Sequence, residues 1–136
     1  MDTLIGIAVL GYTVDENNVI QNLLVLKESE NYTILTEEIK KSEKSFLNVA
    51  IQKLKALTSV EIADQLKWSW LEEMTEKFSD NTLYCFAVDL SGKEITGTSE
   101  EYAFVPVQEA LKTTDAFLQA MFFRLFMKVY KKDLAH

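Results

Sequence analysis

The run Leu4–Val14, LIGIAVLGYTV, constrains this chain more than any other feature. It carries no charge, is rich in Ile, Val, Leu and Tyr, and gives way at once to Asp15-Glu16-Asn17-Asn18. Such a run reads as a mostly buried strand ended by a polar turn. Its most apolar part, residues 4–10, is too short to span a bilayer. Asp2 precedes it with no basic region, so it is poorly flanked for a signal peptide. The expectation is a cytoplasmic protein with no membrane association.

The strand needs partners, and the rest of the chain supplies them. Residues 19–26 read as a second strand, closing a hairpin, and residues 31–35 as a short third extended piece. Residues 42–57 have helical spacing. Phe46, Ala50, Leu54 and Leu57 share one face, with Leu47 and Ile51 beside it, and Ser42 is placed to cap the first turn. Lys44, Asn48, Gln52 and Lys55 fall on the opposite face. Residues 60–62 and 67–75 read as extended, with Trp68 and Trp70 at strand spacing. After a turn over 78–81, residues 82–90 form the clearest later strand, stopped by Ser91-Gly92. Residues 102–105 make another, ended by Pro106, and 107–112 can form one or two helical turns. A last helix runs from Asp115 to about Lys131, capped by Thr114. Asp115 near its start and Lys128, Lys131 and Lys132 near its end suit the helix dipole. Strand, strand, helix, several strands, short helix, long helix is an α/β pattern: a mixed sheet covered by helices on both faces. With 136 residues, one proline, four glycines and no linker or repeat, the chain reads as a single domain over 1–136.

Scarce residues narrow the chemistry. The lone Cys85 lies in an apolar run and reads as a small buried hydrophobe, with no intrachain disulfide available. The only histidine is His136, which argues against Ser–His catalysis and against His or Cys zinc sites. A metal would have to be a hard cation held by carboxylates. The formal charge is −7, from 21 acidic and 14 basic residues, so no nucleic-acid polymer is expected as a partner. Arg124 is the sole arginine, leaving almost no candidate for bidentate phosphate recognition.

Three stretches carry a family resemblance. They are Tyr32-Thr33-Ile34-Leu35 leading into residues 42–62, the strand Leu83-Tyr84-Cys85-Phe86-Ala87-Val88-Asp89-Leu90, and Glu101-Tyr102-Ala103-Phe104-Val105-Pro106-Val107-Gln108-Glu109-Ala110-Leu111. By element order over residues 3–130 the chain resembles a Nudix-fold protein, by pattern and spacing rather than by identity. The resemblance implies an α/β/α sandwich with a mixed sheet between helices.

The signature box of that family, Gly, five residues, Glu, seven residues, Arg-Glu-U-x-Glu-Glu-x-Gly-U with U apolar, can be laid without a gap over residues 38–60. Its apolar positions fall on Leu54 and Val60. Its glycines fall on Glu38 and Ser59, its first Glu on Lys44, its Arg-Glu on Gln52-Lys53, and its paired Glu on Ala56-Leu57. In the family these acids hold Mg²⁺ or Mn²⁺ against a pyrophosphate. Here the lysines repel a cation and Ala56 and Leu57 offer it no oxygen. The resemblance therefore implies a domain without the family's metal mechanism: a non-catalytic module binding a small molecule, a nucleotide or a protein, with no cofactor.

Lys44 and Lys53 are candidates for metal-free phosphate binding, ammonium acting as a point charge. Lys40 and Lys41 lie nearby, and Glu37, Glu38 and Glu43 blunt their field; the plain alternative is a solvated polar face. Trp68 and Trp70 are candidates for stacking a flat ligand, against the plain alternative that they cover the core. The competing reading is a divergent hydrolase of a nucleoside diphosphate-linked substrate, using Mg²⁺ held by acids outside the box. Glu100 and Glu101 are then the catalytic candidates, with Glu72, Glu73, Glu76, Glu37 and Glu38 as further acids that could converge with them in space; the plain alternative is surface solubility. The last helix suggests a protein partner or homodimer, because Phe122 and Phe123 are about 100° apart and cannot both face the core.

Overall fold

The computed structural model describes residues 4–17, 19–28, 31–40, 46–58, 62, 67–75, 82–92, 102–112 and 116–134. Seven strands and three helices follow one another as β1 Leu4–Val14, β2 Ile20–Glu28, β3 Asn31–Thr33, β4 Leu35–Lys40, α1 Phe46–Thr58, β5 Trp68–Thr75, β6 Thr82–Asp89, β7 Tyr102–Pro106, α2 Val107–Ala110 and α3 Ala116–Leu134. The anticipated order is present, with a strand over Leu35–Lys40 that the reading did not contain; of the extended piece expected over 60–62, Ile62 is not in a strand and residues 60 and 61 lie outside the described residues.

β1 is the axis of the sheet. Along one edge it pairs parallel with β6, from Gly6 opposite Leu83 to Tyr12 opposite Asp89. Along the other it divides its partners: residues 4–9 pair antiparallel with β4 and residues 11–14 with β2. β2 continues outward to β3 and β7, and β6 carries β5 at the far edge. The result is a mixed sheet.

β4 is the element the sequence reading lacks. Glu37 and Glu38, which fall between the expected extended piece 31–35 and the helix, sit in a strand opposite Ile7 and Gly6. Glu and Lys are poor strand formers by propensity, but strand preference yields to context. The open edge of β1 supplies that context, with backbone donors and acceptors that need partners.

Alternation along the strands builds two cores. Ala8, Leu10 and Tyr12 of β1, with Cys85 and Ala87 of β6, face α3 and α2, where Leu118, Met121, Leu125 and Ala110 are fully buried. Ile7 and Val9, with Phe86 and Val88, face α1 and its inward residues Ala50, Ile51 and Leu54. The sandwich is therefore closed on both faces. The helical stripe expected over 42–57 is realised from Phe46 onward; the proposed cap Ser42 lies outside the described residues, as does Thr114 before α3. Asp15 Oδ1 accepts the backbone N–H of Asn17 at 2.8 Å and of Val19 at 3.0 Å, which closes the first hairpin as its polar sequence implied. None of the described helices is long and apolar enough to cross a membrane.

Gly11 marks the tightest approach in the sheet. A Cβ there would lie 2.7 Å from Leu90 Cδ1 and 3.0 Å from Leu24 Cβ, and both leucines are buried. Gly11→Ala is expected to destabilise the fold by about 1–3 kcal/mol through overpacking, measured as a lower urea midpoint at unchanged slope.

Candidate functional site

The surface that the sequence singles out is built by α1, β5 and β6. On α1, burial of Ala50, Ile51 and Leu54 fixes the rotation of the helix. Phe46, Val49, Lys53 and Leu57 are then half-buried along its flank, and Gln52, Lys55 and Ala56 are exposed. Positions 46, 49, 53, 56 and 57 follow helical spacing, so they share one side. That side holds the box positions Lys53, Ala56 and Leu57, and no aspartate or glutamate occurs anywhere in α1. Lys44 lies outside the described residues.

β5 carries the two tryptophans at the sheet edge. They occupy the same face, as their spacing required, yet their environments differ. Trp68 is 8% exposed and belongs to the core beneath α1, where its indole N–H donates to the carbonyl of Ile62 at 2.8 Å. A buried indole with its one donor satisfied is a structural group. Trp70 is 40% exposed. Its ring lies 5.7 Å from that of Tyr84 and 5.2 Å from that of Phe86. Tyr84 in turn packs on Phe46 of α1 at 4.7 Å. Phe86 meets Trp68 edge-on at 6.5 Å. These separations are typical of favourable aromatic pairs. Five rings are thus linked in the order Phe46, Tyr84, Trp70, Phe86 and Trp68, and the central one, Trp70, is exposed.

A bulge positions Trp70. Trp70 is opposite Phe86, but the next aligned pair is Glu72 with Cys85, so Leu71 is the extra residue. Leu71 is buried in the α3-side core while Trp70 stays on the α1 side. From α3, the ammonium of Lys128 reaches the carbonyl of Trp70. This places a cation on the main chain of an edge strand, where backbone groups have no neighbouring strand to pair with. No local pattern announces this contact, which joins residues 58 positions apart.

The side chains of the acids proposed for hydrolysis all lie outside the described part of the structure. Glu100, Glu101 and Glu76 lie outside the described residues. Glu72 and Glu73 belong to β5 and align with Cys85 and Tyr84 in register. Among the described residues no three or more His, Cys, Asp or Glu side chains converge as a metal site. Cys85 is fully buried, as its apolar setting implied. Burial pushes its thiol up to about 12, with Arg124 pulling weakly the other way, so it is no nucleophile near neutral pH. Burial, reinforced by Asp89, likewise pushes the Tyr12 hydroxyl up to about 12.

Comparison with known proteins bears on the fold. No family model matches the sequence. No curated protein matches it either. Solved structures do. A mutT/nudix family protein from Listeria innocua aligns at TM-score 0.72 and 14% identity, covering 100% of this chain and 99% of that one. The Ap4A hydrolase of C. elegans aligns at TM-score 0.67 and 11% identity, covering 93% and 98%. The NUDIX domain of Shewanella oneidensis NrtR, solved in complex with ADP ribose, aligns at TM-score 0.65 and 14% identity, covering 98% and 90%. The chain has a Nudix-like α/β sandwich fold.

The raised Cys85 and Tyr12 values have a measurable sign. Both groups are neutral in folded and unfolded chains below pH 9. Above it the unfolded chain loses these protons first, so their stabilising contribution falls as pH rises from about 9 towards 12. Cys85 should accordingly resist a thiol reagent at pH 8 in the native protein and react fully in denaturant, read by absorbance of the released chromophore.

Proposed function

We propose that this Nudix-fold domain is a non-catalytic binding module. Its ligand site combines Lys53 of α1 with the exposed ring of Trp70 and the Tyr84 and Phe46 rings behind it. What supports this reading is the character of the α1 flank: Lys53, Ala56 and Leu57, onto which the resemblance lays the box acids, offer a divalent cation no carboxylate oxygen. An ammonium repels such a cation, and methyl and isobutyl groups cannot coordinate it. The residues of α1 do not fit Mg²⁺.

What the surface offers instead is a cation and flat aromatic faces. Stacking on an aromatic ring tolerates many flat partners, and a lysine attracts anionic oxygen without demanding a fixed geometry. The ligand class is therefore a flat ring bearing negative charge, such as a nucleotide. The NrtR NUDIX domain, solved with ADP ribose, and the Ap4A hydrolase support a nucleotide on this fold. Trp68 acts in this reading as support for the shelf, since its ring is buried and its N–H engaged.

The test is a fluorescence titration with ADP ribose and with diadenosine tetraphosphate in the presence of EDTA. Binding should quench the exposed Trp70 and weaken about 5- to 100-fold in Trp70→Ala, the range expected for one stacked base. Lys53→Glu should weaken it further and leave Tm nearly unchanged. Incubation with Mg²⁺ or Mn²⁺ should give no cleavage. Metal-dependent cleavage that disappears in Glu101→Gln would replace this reading with the divergent hydrolase, and absence of binding to either probe would remove the ligand site.

A further inference from the structure

The buried side of α3 follows one stripe. Leu118, Met121 and Leu125 are wholly buried against the sheet. Their steps of three and four keep them on one side of the helix, and the next position in that series is 128. An apolar residue would continue the packing there, yet the chain has Lys128. An ammonium turned towards an apolar layer needs an acceptor. Position 128 has reached the rim of that layer: Lys128 is exposed, and its ammonium donates to the main-chain carbonyl of Trp70 on the edge strand β5.

That carbonyl belongs to the residue just before the bulge. Trp70 stands opposite Phe86, and pairing resumes at Glu72 with Cys85. A bulge interrupts the ladder, so the backbone around it is held less firmly by its neighbour strand. Among the described residues β5 pairs only with β6, so no further strand braces it from outside. Two ties to the α3 layer take over that work. Leu71 sends its side chain into the α3-side core, and Lys128 takes the Trp70 carbonyl. With two successive residues tied to that layer, the Trp70 side chain leaves on the other face, over Tyr84 and Phe86, where it stays exposed.

We propose that Lys128 is a positioning residue of the ligand site: from the opposite layer it fixes the main chain at Trp70, and through it the ring on which the ligand stacks, without itself touching the ligand. The inference rests on the reading of Trp70 as the stacking ring. A hydrogen bond from an ammonium to a carbonyl is charge-assisted and stronger than one between neutral groups. Without it, an edge strand already interrupted by a bulge has more than one backbone conformation open to it at Trp70. The ring then has to be ordered when the ligand arrives, and ordering a side chain on binding costs affinity. The affinity of a site on the α1 face is in this way set partly by a lysine of α3.

Two variants of the full chain test this. Lys128→Met keeps an aliphatic stem and removes the donor; Lys128→Arg keeps a charged donor. In a Trp68→Phe background Trp70 is the one indole left. There Lys128→Met should shift the emission to the red and strengthen quenching by acrylamide, and Lys128→Arg should hold both near the values seen with Lys128, with Tm nearly unchanged throughout. The same comparison in the intact chain reads Trp70 against the constant signal of the buried Trp68. Titration of the intact chain with ADP ribose in EDTA should show binding weakened about 2- to 10-fold in Lys128→Met, as expected for ordering one side chain, and recovered in Lys128→Arg. Emission and quenching unaltered in Lys128→Met, or altered equally in Lys128→Arg, would overturn the proposal whether or not ADP ribose binds. Equal binding by the wild-type and Lys128→Met chains would overturn the positioning role and leave the ligand site standing. No binding by either chain, with the fluorescence change present, would overturn the ligand site and the role that rests on it.

Discussion

Double-sided burial of β1 is the condition on which the rest of this structure depends. Ile7, Ala8, Val9 and Leu10 are consecutive and all essentially inaccessible, so both faces of the strand exclude water. Its backbone must be paired on both edges as well, since a buried N–H or C=O without a partner costs on the order of 1–3 kcal/mol. β6 satisfies one edge alone, and β2 and β4 share the other. The two faces then demand two apolar layers, and α1 on one side and α3 with α2 on the other meet the demand. The close approach of Leu24 and Leu90 over Gly11 is a local consequence: where side chains from neighbouring strands converge on so crowded a strand, no Cβ fits.

The same sheet explains why the two tryptophans part company. Both lie on the α1 side of β5, but β5 is the edge strand, and cover thins towards its outer end. Trp68 is enclosed and anchored to Ile62, while two residues later the bulge at Leu71 redirects the strand and leaves Trp70 against Tyr84 and Phe86 with its other side open. Lys128 holds the main chain there from the opposite layer. A ring exposed on one face and packed on the other keeps little rotational freedom, which lowers the entropic cost of stacking a ligand on it.

Charge is distributed against the grain of the composition. The chain is acidic overall, yet α1 has no acid and α3 has none before Asp133. The two long helices that cover the sheet, α1 and α3, are thus its neutral-to-basic parts. On α1 that character disfavours a divalent cation and suits an anionic ligand.

The amino-acid sequence alone makes legible the strands with a clear apolar run, the rotation of α1, the burial of Cys85 and the Nudix-like order of elements, because each follows from periodicity and local chemistry. It also determined that α1 carries no carboxylate, since that is read directly from residue types. It did not disclose β4, whose Glu and Lys residues are strand only because β1 offers an edge. Strand spacing placed Trp68 and Trp70 on one face but could not say that one is buried and the other open, because exposure depends on what lies across the sheet edge. Likewise Phe122 and Phe123 had to diverge, and only packing decided that Phe122 lies against the core and Phe123 in solvent. Period and composition fix which face a residue takes; the neighbours that cover that face come from distant parts of the chain and exist only once it has folded.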